Sequence, residues 1–174
     1  MTGGGARLPL FQTFIRSELN TMSKDLTFRR ACSDDLRTII DMLADDALGA
    51  TREIVADPVH SDYAEAFAAI DADPNQFLAV VEDAAGVVGC LQLSFIPGLS
   101  RRGMWRGQIE SVRIHSRARG AGHGQVLFEW AIEQCRQKGC GLVQLTTDKR
   151  RPDALRFYER LGFVASHEGM KLSL

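Results

Sequence analysis

The sequence predicts an α/β fold: one domain built on a mixed α+β sheet of about seven strands with four helices. Apolar residues recur with a helical period in four segments and form short β-rich runs in seven others. From Gln108 to Thr147 a strand, a helix and a second strand follow one another, and strands joined by such a crossover lie parallel. The chain has 174 residues, within the ~100 to 200 of a single domain.

Thr27 to Arg30 alternates as a first strand, and Ser33 reads as an N-cap with Asp34 and Asp35 in the first turn. Leu36, Ile39, Ile40 and Leu43 then fall on one helical face, as do Tyr63, Ala66, Phe67 and Ile70. Asp73-Pro74-Asn75 stops the second helix because proline disfavours helical geometry in the preceding residue. Phe77 to Val81 and Val87 to Phe95 form a hairpin around Glu82 to Gly86. Gln108 to Ile114 alternates again, with Glu110, Val112 and Ile114 expected on one face. Leu127, Trp130, Ala131 and Cys135 form the stripe of a third helix that Gly139 ends. Leu142 to Thr147 is a strand, Pro152 starts a fourth helix that Gly162 ends, and Phe163–Ala165 and Met170–Leu174 are expected as two last short strands.

Residues 1–22, with Gly3-Gly4-Gly5 and Pro9, read as a flexible extension ahead of a domain over 23–174, with too short an apolar run for a signal-peptide core. No apolar stretch approaches the ~20 residues of a membrane span, so a cytoplasmic protein is expected. The four cysteines show no C-x-x-C pair or close Cys/His set, which argues for reduced buried thiols and against a metal. Net charge is −1, but unevenly spread. Ala31 to Gly86 holds thirteen acids against two bases, and Val87 to the end fourteen bases against seven acids. The basic half suits a phosphate-bearing ligand.

Arg119-Gly120-Ala121-Gly122-His123-Gly124 lies where a strand gives way to a helix. Three glycines let the backbone turn tightly and aim its N–H groups outward, and the helix dipole adds to that anion site. The order R-x-x-G-x-G differs from the G-x-G-x-x-G of a dinucleotide fold, and no G-x-x-x-x-G-K-[ST] is present.

This turn, together with Phe157-Tyr158-Glu159-Arg160-Leu161-Gly162-Phe163 and the opening Phe28 to Ala31 with Asp34-Asp35-Leu36, resembles the GNAT superfamily of acyl-CoA-dependent N-acetyltransferases over roughly residues 27–174. The resemblance implies acetyl-CoA as co-substrate. Its pyrophosphate would lie on the backbone of Arg119, Gly120, Ala121, Gly122, His123, Gly124 and Gln125. Its pantetheine arm would pair with the main chain at Val112 and Ile114, and an N–H at Val112 or Arg113 would serve the oxyanion. His123 and Arg151 depart from the family pattern, where an aliphatic residue and an asparagine are usual.

Acetyl transfer to an amine needs a base, because a lysine-like amine with pKa ~10.4 is almost wholly protonated at neutral pH. It also needs a donor for the departing thiolate. Glu110 matches a position used as base in some relatives, and Tyr158 is the matching acid. Trp105, Arg101 and Arg102, in the loop before the Glu110 strand, are candidates to line the acceptor pocket. The first two helices and their loop, with Glu53, Asp57 and Asp62, would form an acidic wall favouring a small cationic amine. The run Lys149-Arg150-Arg151 reads as solvated surface, so neither nucleic acid nor membrane is an expected partner, and a homodimer is allowed. Two rivals are a non-catalytic acyl-CoA-binding module and a transferase acting on a protein N-terminus or lysine.

Overall fold

The computed structural model describes residues 25–46 and 49–174; the expected extension at 1–22 lies outside the described residues. Its elements run β1 (Thr27–Arg30), α1 (Leu36–Ala44), α2 (Ser61–Ala72), β2 (Gln76–Asp83), β3 (Gly86–Ile96), β4 (Arg106–Ile114), α3 (His123–Gln137), β5 (Leu142–Leu145) and α4 (Pro152–Arg160). The sheet order is β1-β2-β3-β4-β5, antiparallel except for the parallel β4–β5 pair that the crossover through α3 imposes.

Strand alternation divides the core into two layers. Ala79, Val81, Leu91, Leu93 and Ile109 pack with Leu127, Ala131 and Cys135 of α3. Leu78, Val80 and Cys90 face the other way, onto Ile39 and Met42 of α1 and Phe67 and Ile70 of α2. Trp130 closes the α3 layer by stacking on Phe28 of β1, ring centroids 5.1 Å apart. Phe128 of α3 meets Phe157 and Tyr158 of α4, and Phe163 beyond it, in an aromatic cluster.

Several expectations change. The sheet has five strands among the described residues, because Phe163–Ala165 and Met170–Leu174 form none. Val164, Met170, Leu172 and Leu174 lie largely in solvent, so their alternation finds no sheet face to bury. Ser33 is not the cap: Cys32 takes that place, and its N–H donates to the Asp35 carboxylate at 2.8 Å. Cys32 is exposed, whereas Cys90 and Cys135 are buried as expected; all four thiols are free.

The change that matters most lies in β4. Arg113 pairs with Cys90 and Glu110 with Gln92, so Ser111 and Val112 together oppose Leu91 alone. Ser111, at φ 53°, absorbs the extra residue as a β-bulge. Ile109, Val112 and Ile114 therefore share the α3 layer, and Glu110 does not stand on the face of Val112 and Ile114.

Candidate active site

Parallel pairing of β4 with β5 stops at Ile109 opposite Leu145, with Gln144 Nε2 donating to Gln108 Oε1 at 2.8 Å as its last side-chain tie. From Glu110 to Ile114, β4 is paired on the β3 side alone, so past the end of β5 its other edge is open. That divergence also ends β5 at Leu145 instead of the expected Thr147.

Main-chain groups at an unpaired edge need partners. Here two arginines supply them: Arg113 Nη1 donates to the Val112 carbonyl at 2.9 Å, and Arg119 Nε to the Ile114 carbonyl at 3.1 Å. Both arginines also hold the C-terminal end of α1. Arg119 Nη2 donates to the Asp45 carbonyl and carboxylate, each at 2.8 Å, and Arg113 Nη2 lies 3.3 Å from Asp46 Oδ2.

At the far end of the opening, Gly120 and Gly122 turn the chain with φ of 80° and 81°, values that glycine adopts without strain. Gln125 and Val126 donate to the Gly122 carbonyl, while the N–H groups of Gly120, Ala121, Gly122, His123 and Gly124 donate to no carbonyl among the described residues. Free donors at the positive end of a fifteen-residue helix fit a pyrophosphate, and the open edge at Val112 and Ile114 fits an extended amide-bearing arm. His123 opens α3 with a buried Nδ1 that has no hydrogen-bond partner. Nearby, Arg117 holds the Asp83 carboxyl down to about 2, with the His123 charge a minor contributor.

Tyr158 lies half-buried on α4 among Phe128, Phe157 and Phe163. Burial pushes its phenol pKa up, and the charges of Arg151 and Arg113 oppose that shift without reversing it, so Tyr158 keeps its proton. Arg113 stands three residues after Glu110 on the same strand. Tyr158 thus senses the strand that carries the candidate base.

The weaker candidates separate. Glu53 accepts the Tyr63 hydroxyl at 2.8 Å in the α1–α2 connection. Trp105 immediately precedes β4 and Arg101 lies in the helical turn Ser100–Gly103 before it, five and nine residues from Glu110; Lys138, just past the end of α3, lies over the Trp105 ring. Of the acids expected to form a negative wall, Asp41 pairs with Arg37, Asp45 with Arg119 and Asp46 with Arg113, while Asp62 lies 3.3 Å from His60. A pocket of about 320 Å³ lined by Thr38, Asp41, Met42, Asp45 and His115 borders α1, but neither Glu110 nor Tyr158 lines it. Among the described residues no three His, Cys, Asp or Glu side chains converge to hold a metal, and no helix is long and apolar enough to cross a membrane. The bulge and the arginine ties to α1 were invisible in the sequence, since a serine in a strand and isolated arginines carry no local signal.

Comparison with known proteins places this geometry in a family. Residues 39–163 match the Acetyltransferase (GNAT) family, and the chain belongs to it. A Bacillus halodurans C-125 protein described as a transcriptional regulator is 51% identical, with TM-score 0.83 over 86% of this chain and 99% of that one. The aminoalkylphosphonate N-acetyltransferase of Salmonella typhimurium is 35% identical over 105 residues, 60% of this chain and 68% of that protein. The glucosamine 6-phosphate N-acetyltransferase of Trypanosoma brucei brucei is 39% identical over 88 residues, 51% of this chain and 58% of that protein.

Proposed function

We propose that this member of the GNAT acetyltransferase family moves an acetyl group from acetyl-CoA to a small primary amine by direct attack, with Glu110 as base and Tyr158 as acid. The observation that carries the reading is the opening of β4 at the Ser111 bulge. It leaves an unpaired strand edge leading to a glycine turn with unused N–H donors, and it keeps Val112 and Ile114 in the α3 layer while Glu110 and Arg113 share the opposite face. Acetyl-CoA brings a thioester whose acyl carbon an amine can attack. The chain's own residues do the rest.

The Gly120–Gly124 amides and the α3 dipole hold the pyrophosphate, and Val112 and Ile114 align the arm once Arg113 and Arg119 yield their carbonyls. Glu110 takes the proton from the incoming ammonium, directly or through water. Tyr158, kept protonated by burial, donates toward the sulfur as negative charge gathers there. The main-chain N–H at Val112 or Arg113 serves the developing oxyanion. The reading expects a cytoplasmic protein with no nucleic-acid or membrane partner, and a homodimer is compatible with it.

Amine-dependent release of thiol from acetyl-CoA, with the N-acetyl product identified by mass spectrometry, tests the reading. The second reading, an acyl-CoA-binding module without turnover, draws on the regulator description of the Bacillus halodurans relative. Tight acetyl-CoA binding with no thiol release across amines and peptide N-termini would favour it.

A further inference from the structure

We infer that Arg113 selects the acceptor by binding an anionic group on it, so that the substrate is a small primary amine that also carries a phosphonate, phosphate or carboxylate. The inference rests on the transfer reading above and gives its acceptor a chemical class.

The bulge is the first ground. By inserting Ser111, β4 returns Arg113 to the sheet face of Glu110, the face toward α1 and α2, where Gln92 and Cys90 are their cross-strand partners. A cation and a candidate base thus stand side by side on the acceptor side of the opening.

The second ground is how poorly the Arg113 guanidinium is used. Only 15% of its side chain is exposed. One nitrogen turns back to the adjacent Val112 carbonyl, another lies 3.3 Å from Asp46, and buried Nε has no acceptor. A guanidinium presents five donors in a fixed fork suited to planar or tetrahedral oxyanions, and a buried donor left unmatched is costly. A ligand oxyanion would complete that set, and the pantetheine arm, by taking the Val112 carbonyl, would free one more donor.

The third ground is the surrounding charge. Arg151 caps α4 seven residues before Tyr158, on the same helical face, and its charge joins that of Arg113 at the Tyr158 phenol. Arg52, in the α1–α2 connection, acts on Asp148, whose carboxylate Arg150 already grips. Asp46 stands 3.3 Å from Arg113, and Asp148 answers Arg150. Arg113 and Arg151 thus bring two positive charges to the Tyr158 side of the opening.

The test measures kcat/KM for 2-aminoethylphosphonate, ethanolamine phosphate, β-alanine, n-propylamine and 1,4-diaminobutane, with wild type, Arg113→Gln, Arg113→Lys and Arg151→Gln. The wild type should prefer one of the three anionic amines over n-propylamine, and which of the three leads identifies the anion. Arg113→Gln should collapse that ratio by about 10- to 100-fold, the scale of a lost charged hydrogen bond. Arg113→Lys should restore part of it, and Arg151→Gln should lower it less. The ratio is the readout because any general loss from altered packing or cofactor alignment cancels in it. A wild-type preference for n-propylamine or the diamine, or a ratio unmoved by Arg113→Gln, would overturn the inference while leaving acetyl transfer intact. If none of the amines is acetylated although acetyl-CoA binds, the transfer reading falls and this inference with it.

Discussion

Glu110 and Val112, two residues apart on β4, point to opposite faces of the sheet. Regular alternation would put them on the same face, and Ser111 in the left-handed region at φ 53° is what separates them. A non-glycine residue there costs ~1–2 kcal/mol. Ser111→Gly should therefore stabilise the protein by up to ~1 kcal/mol in urea unfolding, and Ser111→Val should destabilise it by a similar amount.

The glycine turn makes a separate prediction. Gly122 has φ 81° and precedes the first residue of α3, so Gly122→Val strains the turn and obstructs close approach to its amides. Calorimetry should show acetyl-CoA binding to wild type that survives chelator and weakens with added salt, and a loss of at least tenfold in the variant. Equal affinity would place the cradle elsewhere.

The acid limb of stability should be set partly by Asp35. Hydrogen bonds from Arg29, the nearer at 2.6 Å, hold its carboxyl down to about 2 against the ordinary ~3.9. A depressed carboxyl contributes stability that is fully present above its unfolded pKa and is lost as pH falls through its folded pKa. That contribution is ~2 kcal/mol, disappearing from about pH 4 to about pH 2. Asp35→Asn should lower stability at neutral pH and flatten the profile over that window.

Much of the fold was legible because it rests on periodicity. The α1 stripe of Leu36, Ile39 and Ile40 and the α3 stripe of Leu127, Ala131 and Cys135 are buried as their spacing predicted. The tail was misread because alternation in Phe163–Ala165 and Met170–Leu174 predicts a strand only where an edge receives it. The glycine turn was also legible, since its residues are local to one another. What escaped the sequence is non-local. The ties of Arg119 to Asp45 and Arg113 to Asp46 join residues 74 and 67 positions apart, and no pattern marks which arginine meets which acid. Charge counts along the chain carry no sign of these ties, in which Asp45, Asp46 and Asp83 of the first half meet Arg119, Arg113 and Arg117 of the second.

The account's central claim is that Glu110 and Tyr158 carry the proton traffic of acetyl transfer, and the most direct test is the pH dependence of kcat and kcat/KM for wild type, Glu110→Gln and Tyr158→Phe. Because burial raises the Tyr158 phenol, the wild-type rate should show no loss from that group up to pH ~10. Tyr158→Phe should lower kcat by about 10²- to 10³-fold with acetyl-CoA affinity nearly unchanged, since its donor acts chiefly as the thiolate develops. Glu110→Gln should depress the rate most at neutral pH and recover toward alkaline pH, where the amine sheds its own proton. Profiles of both variants that superimpose on wild type in height and shape would contradict the claim.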